Sequence, residues 1–267
     1  MSDIDLLDNM SKLNNELVNA QRTLLKQNEE ISQLNRKLST ANVSLVQLMY
    51  VVSHDLKEPL RMVNGFMLLL KNKYAHQLDE KANTYIGFAV DGGKRMQAMI
   101  TDILELSHTA AHNSGKELAD LHILFNEAQD NLFSRVKESE AEILTEGRLP
   151  ALMVNKSDII RLFQNLVGNA IKFKKRGIPP IITLKVKENK NDWLISVKDN
   201  GIGIPAENFE KIFEIFSRLH SKEEYEGTGI GLASCKKIVE VNGGTIWLES
   251  EENIGSTFYF TLPKFFN

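Results

Sequence analysis

A seven-residue repeat of apolar side chains, with Gln27 as its one polar position, runs through the first fifty residues. Two interleaved series alternate at three- and four-residue spacing, which is the a/d pattern of a coiled coil. Because this stripe is narrow and sustained, residues 1–47 are predicted to supercoil with a second copy rather than to lie as a solitary amphipathic helix on a globular core. The positions are Met10, Leu17, Leu24, Ile31, Leu38, Leu45 and Val52 in one series, and Leu6, Leu13, Ala20, Gln27, Leu34, Ala41 and Leu48 in the other.

The composition of the chain excludes several classes of protein. The 267 residues carry a formal net charge of -3, which gives no broad basic surface for nucleic acid. No apolar run approaches the ~18 residues of a membrane span, and the acidic amino terminus lacks the basic-then-apolar pattern of a signal peptide. The single cysteine, Cys235, fits a reducing compartment. We therefore expect a cytoplasmic protein with no membrane span in this chain and no nucleic-acid partner.

The heptads lead directly into a short segment that begins at His54 and combines an imidazole with acids and a proline. Extending the register places His54 two positions after Val52 and off the apolar seam, so its ring faces solvent and can act as a nucleophile near neutral pH. Glu58 lies on the same helical face, Asp55 is adjacent, and Pro59 predicts a bend because it cannot donate a backbone hydrogen bond. On residue types alone, an exposed histidine with ordinary charged neighbours remains the alternative.

Two helices joined by a short turn are predicted over residues 48–112. The first helix continues to about Tyr74, residues 75–78 form the turn, and Asp79 caps the second helix. The short connection makes the two helices antiparallel. Dimerisation of this hairpin would bury both apolar faces in a four-helix bundle.

A second domain is predicted over residues 118–267, after a linker at 113–117 that contains turn-forming residues. Helical periodicity and short alternating runs are interspersed, which favours an α+β fold with one mixed sheet under helices. The predicted helices cover residues 121–138, 156–174, 209–213 and 232–241, and the predicted strands cover 141–145, 152–154, 181–187, 193–198, 245–250 and 256–262.

One predicted helix carries an unusual polar face. Asn165, Asn169, Lys172 and Phe173 fall together at i, i+4, i+7 and i+8, away from the apolar side of the helix. Amide oxygens suit Mg²⁺, an ammonium group suits phosphate, and an aromatic ring can pack on a base. Asparagine is a mediocre helix former, so two asparagines in mid-helix call for a reason. An ordinary solvated face is the alternative.

Two glycine-rich turns follow. Asp199 ends a predicted strand before Gly201 and Gly203, where backbone can approach a ligand closely and the carboxylate can accept a hydrogen bond from an exocyclic amine. The second turn, residues 227–232, leads into a helix whose free amides favour phosphate. Either turn could be purely structural, and the second is neither a P-loop nor a dinucleotide fingerprint. The polar stretch at 217–226 is predicted to be a mobile lid.

Taken together, these patterns resemble the two-component sensor histidine kinases, and the wording of the motifs is most similar to the phytochrome-like branch. The resemblance covers residues from about 45 to 263 and preserves the family's motif order. It implies a coiled-coil signalling helix, a dimeric phosphotransfer hairpin and a Bergerat-type α/β sandwich that binds ATP. The matching motifs are His54-Asp55-Leu56-Lys57-Glu58-Pro59-Leu60 (H box), Asn165 to Phe173 (N box), Asp199 to Gly203 (G1 box), Phe213 to Phe216 (F box) and Gly227 to Gly231 (G2 box).

The resemblance also implies a role for each matched position. His54 would accept the γ-phosphoryl group of ATP, Asp55 would orient the ring and take its proton, and Asn169 with Asn165 would hold Mg²⁺. The phosphoryl group would then pass to an aspartate on a response-regulator receiver domain. The other nucleotide-binding positions would be Lys172 for phosphate, Phe173 and Asp199 for adenine, Gly201 and Gly203 for close approach, Arg218 for the γ-phosphate, and Gly227, Thr228, Gly229, Gly231, Leu232 and Thr257.

One position departs from the commoner family pattern. Many relatives carry Thr or Asn four residues after the histidine, whereas this chain carries Glu58. Because a carboxylate adds like charge beside a phosphoaspartate, weak or absent phosphatase activity is predicted. Two other hypotheses remain open at this point, a pseudokinase scaffold and a Bergerat ATPase of another class, although His54 and the heptads disfavour the latter.

Overall fold

The computed structural model describes residues 3–111, 115–219, 225 and 227–264, with the side chains of 3–11, 42 and 105–111 excepted. The chain divides into two compact units, Met1–Leu48 and Met49–Asn267. Within the described residues, no helix has both the length and the apolar character needed to cross a bilayer.

Helix α1 spans Asp3–Tyr74, so it forms the described part of the first unit and contributes to the second. Pro59 lies inside this helix without ending it. The heptad leucines are exposed, with exposed fractions of 70% for Leu13 and 71% for Leu38. A row of exposed leucines leaves much apolar surface in water, which burial against another helix would remove. Pairing of the heptads in a coiled coil stays a prediction.

The turn after α1 matches the expectation from the sequence. A short 3-10 helix covers Ala75–Gln77, and α2 spans Glu80–Ala111. The Asp79 carboxylate accepts a hydrogen bond from the backbone N–H of Ala82 at 2.7 Å, which satisfies one of the free amides of the first turn of α2. The two predicted helices, the turn between them and the cap at Asp79 are therefore confirmed.

Helices α1 and α2 approach closely at Asn64 and Gly93. A side chain at position 93 would overlap the Asn64 amide, so glycine leaves the room that Asn64 occupies. Asn64 and Ser53 on α1 and Val90 on α2 are all buried. Among the described residues, neither polar atom of the Asn64 amide has a hydrogen-bond partner. This contact sets the level at which the antiparallel helices stand side by side.

The rest of the second unit is an α+β domain. Its elements are β1 Glu117–Asp120, α3 Leu121–Asn131, α4 Phe133–Ser139, β2 Glu142–Glu146, β3 Ala151–Val154, α5 Lys156–Lys172, β4 Ile181–Glu188, β5 Asp192–Lys198, α6 Gly231–Val241, β6 Ile246–Glu251 and β7 Gly255–Pro263. Five strands of the described part form one mixed sheet in the order β2-β4-β5-β7-β6, and β1 pairs with β3 in a separate antiparallel ribbon.

The hydrophobic core lies between one face of the sheet and the helices α3, α5 and α6. Phe163 on α5 is fully buried, with its ring centroid 5.0 Å from that of Phe125 on α3 and 6.2 Å from that of Phe260 on β7. Both pairs meet edge to face, the geometry that aromatic rings prefer. Leu184 on β4 and Ile195 on β5 close the core from the sheet side. The predicted arrangement of helices over one mixed sheet is confirmed.

Three local predictions differ from the structure. The predicted helix at 121–138 is divided at Leu132, whose backbone at φ -100° and ψ 5° leaves the helical region while its side chain is buried. Residues 209–213 form a 3-10 turn over Lys211–Phe213 rather than an α-helix. Strand β1 was not predicted, because four residues with no clear alternation become a strand only by pairing with β3. Residues 113 and 114 of the predicted linker lie outside the described residues.

Candidate functional site

A cleft of about 1730 Å³ lies between α2 and the face of the α+β domain that carries α5 and the loop before α6. Twelve of the fourteen predicted nucleotide-binding residues line it. They are Asn165, Asn169, Lys172, Phe173, Asp199, Gly203, Arg218, Gly227, Thr228, Gly229, Gly231 and Leu232. Gly201 and Thr257 are not among the lining residues.

Helix α5 supplies the long wall of the cleft. Asn155 caps the helix, its side chain accepting a hydrogen bond from the Asp158 backbone N–H at 3.3 Å. Since residues such as Ile159 and Phe163 turn one face into the core, the helical period directs Asn165 and Asn169 toward the cleft. Amide oxygens on adjacent turns are chemically suited to a Mg²⁺ ion. Among the described residues, no group of three His, Cys, Asp or Glu side chains could hold a metal.

The middle of α5 is hydrogen-bonded to the start of α6, and the end of α5 brings a cation and an aromatic ring together. The Asn165 side-chain amide donates to the carbonyl of Gly231, the first residue of α6, at 3.2 Å. Helix α5 ends at Lys172, whose ammonium lies 4.3 Å from the centroid of the Phe173 ring. An ammonium on an aromatic face is a favourable cation–π arrangement. The cationic group and the ring that were predicted for phosphate and base therefore lie at the same end of the cleft.

The carboxylate of Asp199 sits at the end of β5, held by backbone. One carboxylate oxygen accepts hydrogen bonds from the N–H of Gly201 at 2.8 Å and from the N–H of Ser256 at 3.1 Å. Burial raises the pKa of Asp199 above its usual value, and the two N–H groups oppose that rise. The carboxylate is thus a rigid, partly desolvated acceptor at the wall of the cleft.

Gly201 and Gly203 are required by packing around Asp199. A side chain at Gly201 would meet the Asp199 carboxylate at 2.8 Å and crowd the Phe173 carbonyl. Gly203 has φ 73°, and a side chain there would overlap the backbone of Glu251 on β6. Both glycines support the shape of the cleft from behind, and of the two Gly203 also lines it.

The glycine-rich loop before α6 closes the cleft on a second side. Gly227 and Gly229 have φ of 145° and 78°, values that residues with side chains rarely adopt. A side chain at Gly227 would meet the Lys172 ammonium at 2.8 Å. Between the two glycines, the Thr228 hydroxyl donates to the Asp102 carboxylate of α2 at 2.5 Å. The loop therefore contacts both the N-box wall and the helical hairpin.

The described part of the predicted lid also packs on this wall. The Arg218 guanidinium donates to the backbone carbonyl of Tyr225 at 2.7 Å, and the ring centroid of Tyr225 lies 4.9 Å from that of Phe173. These contacts bring both ends of the lid to the cleft. Residues 220–224 and 226 of the predicted lid lie outside the described residues.

His54 and Asp55 lie elsewhere on the second unit. Their side chains are 69% and 73% exposed, and the Nδ1 of His54 lies 3.4 Å from a carboxylate oxygen of Asp55. Ser53 beside them is buried, so the helix turns the imidazole outward as its register predicted. Neither His54 nor Asp55 is among the described residues that line the cleft.

Two features of the cleft escaped the sequence-based prediction. Thr257 was placed in the site, but on β7 the neighbouring residues Ser256 and Phe258 line the cleft, and Thr257 points to the other face of the sheet. The burial of Phe258 and Phe260 carries this parity, so the period-two pattern could have found it. The contribution of α2 had no local signal, because α2 is remote in the sequence from the rest of the cleft; Asp102, for example, lies 126 positions from Thr228.

Two protein-family models match the chain, one on each side of the linker. The His Kinase A (phospho-acceptor) domain matches residues 44–111, which contain the His54 segment. The model described as histidine kinase-, DNA gyrase B- and HSP90-like ATPase matches residues 154–265, which contain most of the cleft residues. Together the two matches cover about two thirds of the chain.

Curated relatives include a cyanobacterial phytochrome and a sensor histidine kinase. Cyanobacterial phytochrome A of Nostoc sp. (strain PCC 7120) is 43% identical over 240 residues, which cover 90% of this chain and 31% of that protein. Sensor histidine kinase WalK of Bacillus subtilis is 30% identical over 218 residues, which cover 79% of this chain and 35% of that protein. The chain thus spans about a third of the length of these relatives.

Among solved structures, full-length ShkA crystallised in complex with AMPPNP has a similar fold. Its TM-score is 0.62 at 24% identity, over 81% of this chain and 45% of that chain. The mycobacterial sensor histidine kinase MprB and a nucleotide-free catalytic domain of ThkA are also similar, each with a TM-score of 0.49. The ShkA comparison supports the fold, a helical region followed by an α/β ATPase domain.

Two glycines with nearly the same φ can be used to separate the cost of a strained backbone from the cost of close packing beside the cleft. Gly177 and Gly203 have φ of 75° and 73°, but only at Gly203 would a side chain meet other atoms of the described chain within 4 Å. Both alanine variants carry the left-handed cost of about 1 kcal/mol. We expect Gly203→Ala to lose about 1–3 kcal/mol more in free energy of unfolding than Gly177→Ala, measured by chemical denaturation. Equal losses would show that the approach to Glu251 is not required.

Proposed function

Since this chain belongs to the histidine kinases, we propose that it is the catalytic core of a sensor kinase, which transfers the γ-phosphoryl group of ATP to His54 and then to an aspartate of a response regulator. The observation that carries the proposal is the convergence of the predicted nucleotide-binding residues on one cleft, in a chain that also exposes a histidine on a phospho-acceptor domain. The family's activity and ATP-binding domain support the first half of the proposal.

The first step joins His54 to the γ-phosphorus. With the Nδ1–H of His54 directed at the Asp55 carboxylate, Nε2 keeps its lone pair and is the nucleophile. The Nε2–P bond forms as the bond from the γ-phosphorus to the bridging oxygen of ADP breaks, and the ring proton on Nδ1 passes toward Asp55. Asp55 is in this proposal both the group that orients the ring and the group that accepts its proton.

The residues of the cleft would hold ATP for this step. Asp199 would accept from the adenine amine, Phe173 would pack on the base, and the Lys172 ammonium would offset phosphate charge. Arg218 would meet the γ-phosphate. Bound Mg²⁺, held by Asn169 and Asn165, would neutralise further charge on the phosphates. Phosphoryl transfer depends on such positioning and neutralisation more than on covalent chemistry, and the cleft offers both.

We propose a homodimer for this core. Apolar side chains of α1 and α2 remain exposed in the chain by itself, with exposed fractions of 67% for Phe66 and 51% for Met96. Burying two such faces against each other would form a four-helix bundle, and the heptads would pair in the same assembly. A homodimer is also the assembly that a phospho-acceptor domain implies.

In the second step the phosphoryl group would leave His54 for a receiver domain. An aspartate oxygen of the response regulator would attack the phosphorus as the N–P bond of phosphohistidine breaks. The proton held by Asp55 would return to Nδ1 of His54, so that neutral imidazole is the leaving group. Exposure of the His54 side chain supports access by such a partner. A pseudokinase scaffold would need no exposed nucleophile beside an acid, and a Bergerat ATPase of another class would need no phospho-acceptor domain.

Replacing the acceptor histidine tests the first step. We expect purified chain with γ-labelled ATP and Mg²⁺ to gain acid-labile, base-stable label, and His54→Ala to gain none because the nucleophile is missing. His76→Ala is the matched control, since His76 is a second exposed histidine of the hairpin. Absence of label on the wild type would contradict kinase activity, and label on His54→Ala would move the acceptor elsewhere.

Replacing Asp199 tests how the base is held. In Asp199→Asn the amide oxygen can still accept from Gly201 and Ser256, which leaves the NH₂ group facing the adenine amine, donor against donor. We expect ATP to bind about ten- to a hundredfold more weakly in calorimetry, because one hydrogen bond to a charged group is lost and one donor is left unpaired. The thermal midpoint should stay close to that of the wild type. Unchanged ATP affinity would remove Asp199 from the site.

Glu58 makes a further expectation testable. A carboxylate beside the acceptor orients water poorly for attack on phosphoaspartate, because it adds like charge. We expect the chain to leave the half-life of a cognate phosphorylated receiver unchanged, and Glu58→Asn, which is neutral and can position water, to shorten it. The phosphorylated and unphosphorylated receiver are separated on a gel to measure the half-life. Appreciable dephosphorylation by the wild type would contradict this expectation.

A further inference from the structure

One hydrogen bond joins the nucleotide cleft to the helix that pairs with the His54 helix. The Thr228 hydroxyl donates to the Asp102 carboxylate at 2.5 Å, in a partly buried position. The two residues lie 126 positions apart in the sequence. A hydrogen bond to an ionised carboxylate is about twice as strong as one between neutral groups. The contact is therefore a tie between the glycine-rich loop and the hairpin.

The backbone of the loop at this point depends on two glycines. Thr228 lies between Gly227 and Gly229, and both glycines adopt backbone conformations that side chains disfavour. The Thr228 hydroxyl oxygen also accepts from the backbone N–H of Ile230 at 3.4 Å, just before α6. That weaker local bond can persist when the bond to Asp102 breaks, so the loop can leave α2 without unwinding the start of α6.

The bond to Asp102 holds the loop level with His54 along the hairpin axis, but on α2 rather than on α1, the helix that carries His54. Asn64 stands beside Gly93; Asp55 lies nine residues before the one and Asp102 nine residues after the other. Because antiparallel helices rise equally per residue, Asp102 is level with Asp55. Yet α2 side chains wall the cleft, and His54 is not among the described residues that line it.

The charge of Asp102 opposes the ligand that the cleft is proposed to take. Asp102 lines the cleft together with Lys172 and the loop, the side on which phosphates would lie. A carboxylate near phosphate oxygens repels them, and the interaction is poorly screened away from bulk water. Other charges on the same α2 face, Asp91, Lys94 and Arg95, also line the cleft, but the hydrogen bond to the loop comes from Asp102.

We propose that Asp102 is an autoinhibitory latch: it holds the glycine-rich loop on α2 through Thr228, and the bond must break before the cleft can deliver a phosphoryl group to His54. The inference rests on the proposed kinase function and specifies how that same site is held back. If most molecules are latched, the rate of autophosphorylation is reduced by the released fraction, so weakening the latch raises the rate.

The test is a gain of activity, which unfolding cannot imitate. We expect Asp102→Ala to raise the initial rate of His54 labelling at saturating ATP by about three- to tenfold, as the loss of one charge-assisted hydrogen bond allows. Asp102→Asn keeps an acceptor but loses the charge, and should give a smaller rise. Asp91→Asn neutralises another acid of the same wall and should not reproduce this rise. Glu80→Gln, at an exposed acid of α2 that does not line the cleft, is the matched control and should leave the rate unchanged.

Two further measurements tie the effect to this bond. Amide hydrogen exchange of residues 227–231 should be faster in Asp102→Ala than in the wild type, because the loop is released. In a double-mutant cycle, Asp102→Ala should have no accelerating effect on the Thr228→Val background, since the partner hydroxyl is already gone. An equal acceleration on both backgrounds would overturn the latch.

The outcomes separate the latch from the function beneath it. Wild-type chain that gains no label on His54 would contradict the proposed kinase function. Wild-type chain that labels normally, with Asp102→Ala unchanged or slower, would overturn the latch and leave the kinase function standing. Acceleration of Asp91→Asn to the same extent would likewise overturn it, because the effect would then reflect the charge of the wall rather than the bond to Thr228.

Discussion

Burial of one face of α5 is the constraint on which the rest of the second unit depends. Phe163 is fully buried between Phe125 and Phe260, and a buried phenylalanine contributes about 1.5–3 kcal/mol relative to an exposed one. Since an α-helix repeats every 3.6 residues, fixing that face in the core leaves Asn165 and Asn169 no direction but the cleft. The same packing that stabilises the sheet therefore orients the polar wall of the site.

At Asp199, the contacts that stabilise the sheet also shape the wall of the cleft. Asp199 is held by backbone N–H groups from Gly201 and from Ser256 on the neighbouring strand, so its position is set by the sheet rather than by a rotatable side chain. Gly203 passes so close to Glu251 that only a residue without a side chain fits. A rigid acceptor of this kind is suited to recognising one face of a ligand, because no ordering cost is incurred on binding.

The hairpin and the cleft meet through Thr228 and Asp102. Neither residue carries a local sequence signal for this contact, and the bond between them forms only because the α+β domain places its loop against α2. The hydrogen bond between Thr228 and Asp102 is a small free-energy term, which a shift of α2 could make or break.

The sequence by itself determined the elements whose signals are local. The heptads, the cap at Asp79, the outward face of His54 and the polar stripe of α5 all follow from helical periodicity, and each predicted helix or turn among them is present. Five ordered motifs were enough to identify the family, which the family models support independently. Where only a short strand or a helix break was at stake, at β1 and Leu132, local preference was too weak to decide.

Only the tertiary structure decided which residues that are distant in the sequence come into contact. Alternation along β7 puts Ser256 and Thr257 on opposite faces of the sheet, but the presence of a cleft beside the Ser256 face depends on how the helices pack on the sheet. That α2 walls the cleft, and that Asp102 accepts from Thr228, depends on the docking of segments far apart in the chain. Periodicity fixes the direction of a side chain from its own helix or strand, but its partner across space is set by the packing of the whole domain.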